Sequence, residues 1–238
     1  SSWTQLGSDI DGATEWDFFG RSVSLSSDGS VVAVGASNYV KVLLYNGSNW
    51  NIIDNNIDVN GTSVSLSNNG SVIAIGAPYE GEGQGYVRVY NYNGSSWIQL
   101  GEDIYGDDNT GWSISLSGDG SVVGITTNRN SGQVRVYRYN ENTTSWIQLG
   151  SDIDGESSPH NNNESSVSLS SDGSIIAIGA PKNDNNRGQV RVYNFNGNNW
   201  AQLGNDIDGE KAGTSGYMGM TAEQFQEMYG ELPSFFGV

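Results

Sequence analysis

The chain of 238 residues carries 10 Lys or Arg against 27 Asp or Glu, a formal charge of −17, and has no cysteine. Disulfides and thiolate metal sites are thereby excluded. An acidic surface argues against nucleic acid and anionic membranes as partners, since both attract clustered Lys and Arg, and no apolar run is long enough to insert in a bilayer as a helix.

Taken in order, the chain first offers WTQLGSDIDG, of which Trp3 to Ile10 reads as a strand. A loop containing Trp16 follows, and then SVSLSSDGSVVAVGA from Ser22. Val23 and Leu25 alternate with serines, the two-residue period of a half-buried strand. Asp28-Gly29 predicts a type I′ hairpin turn, in which both central residues need positive φ. Val31 to Val34 is apolar on both faces, as expected of a strand covered from both sides. VKVLLYN from Val40 gives a third strand, Asn46-Gly47 a further turn, and Trp50 opens a fourth strand.

The unit then repeats. Copies of the hairpin begin at Ser63, Ser113 and Ser166, and copies of the third strand at Val87, Val134 and Val190. Trp3, Trp50, Trp97, Trp146 and Trp200 stand 47, 47, 49 and 54 residues apart. Such a period, with several short strands per repeat, is the signature of a propeller blade. The short links predict antiparallel meanders. A tryptophan at one fixed strand start per repeat is expected to cap the core between blades. Trp16 and Trp112 lie outside that register and are the candidates for ligand contact. The basic residues of the third strands, Lys41, Arg88, Arg135 and Arg191, are expected on a solvated face with their stems along apolar surface.

Phe19-Gly20 ahead of Ser22-Val23-Ser24-Leu25, with Gly76-Ala77-Pro78 and Gly179-Ala180-Pro181, resembles the FG-GAP repeats of integrin-α-like β-propellers. The W-x-Q-L-G-x-D-I-D-G phrase is similar to tandem repeats of large surface proteins in marine microalgae. The resemblance covers Trp3 to about Gly216 and implies a propeller scaffold of the kind used in adhesion, ligand binding and assembly. The third repeat departs from it, with Gly111-Trp112 for Phe-Gly and Gly124-Ile125-Thr126-Thr127 for Gly-Ala-Pro. Metal-binding members of that family carry a D-x-D-x-D-G-type calcium loop in the hairpin turn, whereas here the turn is a bare Asp-Gly.

Candidate metal ligands lie instead in the D-I-D-G phrases: Asp9 and Asp11, Asp152 and Asp154, Asp206 and Asp208. Alternating oxygen ligands followed by glycine suit Ca²⁺. Asp54, Asn56 and Asp58 fill all three oxygen positions, with Val59 in place of the glycine. In the other copies the first position is Gly7, Gly150 or Gly204, and a loop with two carboxylates reads as turn chemistry. The turn reading is preferred, so no cofactor is expected, and Ca²⁺ is the one to test. The sole histidine, His160, has no nucleophile–base partner in the repeats, and no catalytic residue is assigned. Sequons begin at Asn46, Asn60, Asn69, Asn93, Asn142 and Asn163, which a secretory route would make glycosylation acceptors.

The sequence thus predicts an all-β, propeller-like domain over residues 1–216, with four four-stranded antiparallel blades and a stray N-terminal strand. In the non-repeat tail, 217–238, a capping box from Thr221 to Gln224 and an apolar face of Phe225, Met228, Tyr229 and Leu232 predict a short helix. The function expected is a non-catalytic binding or adhesion module, extracellular or on the cell surface, for a protein or glycan ligand. The alternatives are a structural repeat subunit that self-associates through strand edges and a lectin-like glycan binder.

Overall fold

The computed structural model describes residues 2–106, 108–127, 132–155, 165–183 and 187–209. The expected tail helix, His160 and Asn163 lie outside the described residues. Blade 1 comprises β1 (Ser22–Leu25), β2 (Val31–Gly35), β3 (Val40–Tyr45) and β4 (Trp50–Ile52), paired antiparallel in that order. Blade 2 comprises β5 (Ser63–Leu66), β6 (Val72–Ala77), β7 (Tyr86–Tyr92) and β8 (Trp97–Gln99). Its outer strand resumes after a Leu-Gly turn as β9 (Ile104–Tyr105), which pairs with the other end of β7. Blade 3 is built likewise from β10 (Ile114–Leu116), β11 (Val122–Thr127), β12 (Gln133–Asn140), β13 (Ser145–Gln148) and β14 (Ile153–Asp154). Blade 4 consists of β15 (Ser166–Leu169), β16 (Ile175–Ala180), β17 (Gln189–Phe195), β18 (Trp200–Gln202) and β19 (Ile207–Asp208). The fold is all-β and propeller-like, as the repeat predicts.

The hairpin turns differ from expectation. Only the glycines Gly29, Gly70, Gly120 and Gly173 have positive φ, at 73°, 70°, 78° and 68°, while the preceding Asp or Asn does not. The loop is a turn closed by Gly29 N–H on Ser26 O at 2.9 Å, followed by the left-handed glycine. The Asp28 carboxylate decides this form, because it accepts from Ser26 Oγ, Ser30 N and Ser30 Oγ at 2.7–2.9 Å. The same three bonds recur on Asn69, Asp119 and Asp172, and the serines flanking each turn are there to make them.

Blades pack face to face, and alternation divides each second strand between two neighbours. In β6, Val72 and Ala74 join the core with blade 3, whereas Ile73 and Ile75 join the core with blade 1. A third cluster, including Val122, Val136, Ile176 and Ile178, joins blades 3 and 4. The serines of the inner strands complete each junction. Ser22 and Ser24 hydroxyls accept the amides of Val64 and Leu66, both at 2.9 Å. Ser63 and Ser65 do the same for Ile114 and Leu116, and Ser113 and Ser115 for Val167 and Leu169. At the outer edge, Trp146 and Trp200 donate their indole N–H to Leu100 O and Leu149 O of the preceding blade, at 2.7 and 2.9 Å. Trp146 and Trp200 therefore act as blade-to-blade fasteners and Trp97 packs on the core between blades 1 and 2, as expected, whereas Trp3 is fully exposed and caps no core.

Among the described residues no fourth cluster joins blade 4 to blade 1. The described residues of the four blades form an arc with two open ends. Trp3 to Ile10, expected as a strand, makes no strand pairing. Among the described residues no third strand lies beside it, so its amides have no ladder to join. It nonetheless lies against blade 1, where Leu6 O accepts Trp50 Nε1–H at 2.9 Å and Asp11 O accepts Lys41 Nζ at 2.8 Å.

Candidate functional site

The structure places the two sets of sequence candidates in different settings. The carboxylates of the D-I-D-G phrases sit at the blade edges, and all but that of Asp11 accept a hydrogen bond. Asp103, in the divergent second copy, takes a bidentate pair from Arg88 at 2.6 and 2.5 Å and a bond from Gln99. Asp152 accepts from Arg135 at 3.1 Å and from Gln148, and Asp206 from Gln189 and Gln202. Asp9 accepts from Gln5, and Asp154 from Gln133. The third-strand bases therefore do not lie on a solvated face. Arg88 and Arg135 reach the carboxylate that the Leu-Gly turn swings back toward them, forming charge-assisted hydrogen bonds in a half-buried setting. Asp54 has φ 89° where the other copies have glycine, and its carboxylate accepts the Trp97 amide at 3.2 Å. Among the described residues, no three acidic or histidine side chains are grouped as a metal site would need.

Four of the sequon asparagines also serve as turn acceptors, whereas Asn142 donates its backbone N–H to Asn140 Oδ1. Asn46 and Asn93 take two backbone amides each through Oδ1, and Asn69 organises its hairpin turn. Asn60 Oδ1 accepts Thr62 Oγ1–H.

Trp16 and Trp112 lie on one face of the arc. The links into each inner strand and the loops between second and third strands emerge at the same end of every blade, opposite the Asp-Gly turns. On this face the loop 12–19 exposes Trp16 and Phe18, at 83% and 64%, with left-handed φ of 68° and 51°. Such backbone is costly for bulky side chains and concentrates at functional loops. Asp17, between them, holds the loop in shape. It accepts from Tyr39 Oη at 2.5 Å and from the amides of Ala13, Thr14 and Phe19. In the second loop pair, Asn109 and Thr110 amides bond to Gly83 O and Gln84 O, both at 3.0 Å. That pairing sets Tyr79 edge-on to Trp112, 5.7 Å between ring centroids. Glu82 and Asn109 are again left-handed. Sequence reading found the two tryptophans but missed Phe18, Tyr39, Tyr79 and the ordering role of Asp17. Only adjacency to Trp16 could have signalled Phe18 and Asp17, because Tyr39 and Tyr79 are brought in by tertiary contact.

The bond from Tyr39, aided by the loop amides, holds the Asp17 carboxyl at about 2, below its ordinary 3.8. A carboxylate depressed in the folded state stabilises the loop above the ordinary value, and that contribution is lost as pH falls through the folded value. Asp17→Asn is therefore expected to loosen the loop at neutral pH and to approach the parent only below pH 2. Trp16 fluorescence followed across that range checks it, and equal spectra of the two proteins at pH 7 would refute it.

No family model matches the chain, and no curated protein matches it. Solved structures do. Hydrazine synthase from Kuenenia stuttgartiensis shares 12% identity over 84% of this chain, at a TM-score of 0.56. A candidate 6-phosphogluconolactonase from Bacteroides uniformis shares 15% over 79%, also at 0.56, and a second one from Bacteroides fragilis 14% over 78%, at 0.54. This chain covers 53%, 54% and 54% of those structures, about half of each. At such identity the likeness is one of fold alone, and their named activities say nothing of this chain's chemistry.

Proposed function

We propose that the chain is a non-catalytic binding module of the cell surface or extracellular space, with its ligand surface on the loop face. The observation that carries this is the pair of exposed aromatics, Trp16 and Phe18, held in left-handed backbone by the Asp17 hub. A loop that fixes apolar side chains in solvent has no folding reason to do so, and a rigid scaffold bearing such loops is a common basis of recognition. The resemblance to FG-GAP repeats supports the same reading. Glu15 and Asp17 beside Trp16, and Glu80 and Glu82 beside Tyr79, disfavour anionic ligands. Flat aromatic rings ringed by carboxylate acceptors suit a neutral saccharide, whose C–H faces stack while its hydroxyls donate.

A glycan array of neutral and anionic sugars tests this. Binding to neutral glycans is expected, weakened at least tenfold by Trp16→Ala or Trp112→Ala, a loss of about 1.4 kcal/mol or more. An array without signal would overturn the glycan assignment, and binding unmoved by both substitutions would overturn the loop face. The Ca²⁺ alternative predicts a melting temperature raised by the ion and restored by chelator. Superimposable melts are the expected result, given that the Asp9, Asp103, Asp152 and Asp206 carboxylates already have donors.

A further inference from the structure

We infer that the open face of blade 4 seats on the open face of blade 1 of a second copy of this chain, head to tail. Unlike a generic sticky patch, each end is half of an interface that the chain itself builds three times. The apolar halves correspond. Ile175 and Val190 are 37% and 36% exposed on blade 4, whereas Val122 and Val134, their counterparts facing blade 4, are 1% and 3% exposed. On blade 1, Val23 and Leu25 are exposed where Val64, Leu66, Ile114 and Leu116 are buried.

The polar halves correspond too. Ser166 and Ser168 hydroxyls take no amide from a following blade among the described residues, although Ser22, Ser24, Ser63, Ser65, Ser113 and Ser115 all do. Val23 and Leu25 pair with β2 in the register that Val64 and Leu66 keep with β6, so their amides point outward in the same way. The turn backbones form a relay, Ser27 N–H to Asn68 O, Asn68 N–H to Gly118 O, Gly118 N–H to Ser171 O. Among the described residues its two unused terminals are a donor, Ser171 N–H, and an acceptor, Ser27 O, each the complement of the other.

Shape agrees. The backbone of Gly61 fills the space over Gly35, and that of Gly111 the space over Gly76, so closely that a Cβ on either covered glycine would lie 2.1 Å from a carbonyl oxygen. The equivalent space at Gly179 is an open cavity of about 460 Å³, lined by Ser166, Val190 and Ile207 among others. Gly20, the counterpart of Gly61, has nothing within 4 Å of its Cβ position. Likewise Gly70, Gly120 and Gly173 press on Val31, Val72 and Val122, leaving Gly29 and Ile175 as the unmatched pair.

One segment must yield. Residues 3–12 lie beside blade 1 where the outer strand of a preceding blade belongs, and Trp200 to Gly209 of the incoming copy, WAQLGNDIDG, would take that place. The two phrases, WTQLGSDIDG and WAQLGNDIDG, present the same side chains at all but two positions. Residues 200–202 and 207–208 are laddered to β17 and residues 3–12 to nothing, so 3–12 is displaced. Residues 3–12 are thus a placeholder that the partner's own outer strand replaces. A head-to-tail contact of this kind closes into a ring when the rotation allows and otherwise extends.

Light scattering after size exclusion tests the inference with the full chain and two single variants, Leu25→Glu and Ile175→Glu, whose exposed positions leave each subunit's own core intact. The parent is expected at a mass of two or more chains at micromolar concentration, and each variant is expected to shift toward one chain. Mixing the variants should restore a dimer, because Ile175 of the first variant meets Leu25 of the second at one intact junction. A two-fold face-to-face contact would not be restored by mixing. A parent of single-chain mass, variants that associate as the parent does, or a mixture that stays monomeric would each overturn the inference. So would hydrogen exchange showing the Val23 and Leu25 amides protected in a monomer, since a segment of the same chain would then occupy the face.

Discussion

Trp146→Ala should lower the stability of this protein by about 3–5 kcal/mol, the range for truncating an aromatic in a core. The ring packs on the cluster between blades 2 and 3, tilts against Tyr139 at 5.3 Å, and donates to Leu100 O across the junction. Its removal leaves a cavity and a carbonyl without its partner, so both terms act in the same direction. At roughly 2–4 °C per kcal/mol for a chain this size, the shift in Tm is readily measured. Trp97→Ala should cost less, because Asp54 replaces the glycine there and ties down the Trp97 backbone amide. Trp16→Ala is the control, expected within about 0.5 kcal/mol of the parent. Melts of Trp146→Ala and Trp16→Ala that coincide would mean that the fourth-strand tryptophans are not fasteners.

Gly76→Ala is the second large effect expected. The new methyl would sit 2.1 Å from Gly111 O, a contact of backbone with backbone. Neither side yields cheaply, since Gly76 is laddered to Ser63 and Val87, and the Gly111 amide is bonded to Thr126 O. Overpacking usually costs about 1–3 kcal/mol, and a clash between two backbones belongs at the top of that range. Gly179→Ala makes the comparison, for there the nearest atom is Ser166 Oγ, the end of a side chain that can rotate away. Urea unfolding of both variants in the Leu25→Glu background, where no second copy covers Gly179, should show a large loss for the first and a small one for the second. Equal losses would refute the reading that glycine is demanded here by the approach of the next blade.

These two sites show why the Phe-Gly and Gly-Ala-Pro positions of the repeat read clearly in sequence while their purpose did not. Gly35 ends β2 and Gly76 stands one residue from the end of β6, in strands where glycine is otherwise unfavourable. Only the neighbouring blade, with Gly61 and Gly111, supplies the reason. The same holds for the serines of S-V-S-L. Their alternation marks a strand, but the amides they accept lie 42 to 54 residues away.

Short-range chemistry was decided by the sequence alone. The period of two in Val23 and Leu25, the glycine of each turn and the interval between tryptophans fixed strand, turn and blade, since each depends on neighbours a few residues off or on repetition itself. The type I′ expectation failed because the turn carboxylate binds its flanking serines and keeps Asp28 out of the left-handed region. Tertiary structure decided everything that depends on what comes to lie opposite. It gave Arg88 to Asp103, joined Tyr39 to Asp17 across 22 residues, and left Trp3 to Ile10 without a strand partner among the described residues. It also exposed Val23 and Ile175 while burying Val64 and Val122 at the same repeat positions. Identical residues acquire opposite environments there because burial belongs to the junction, and a repeat at either end of the arc has only one.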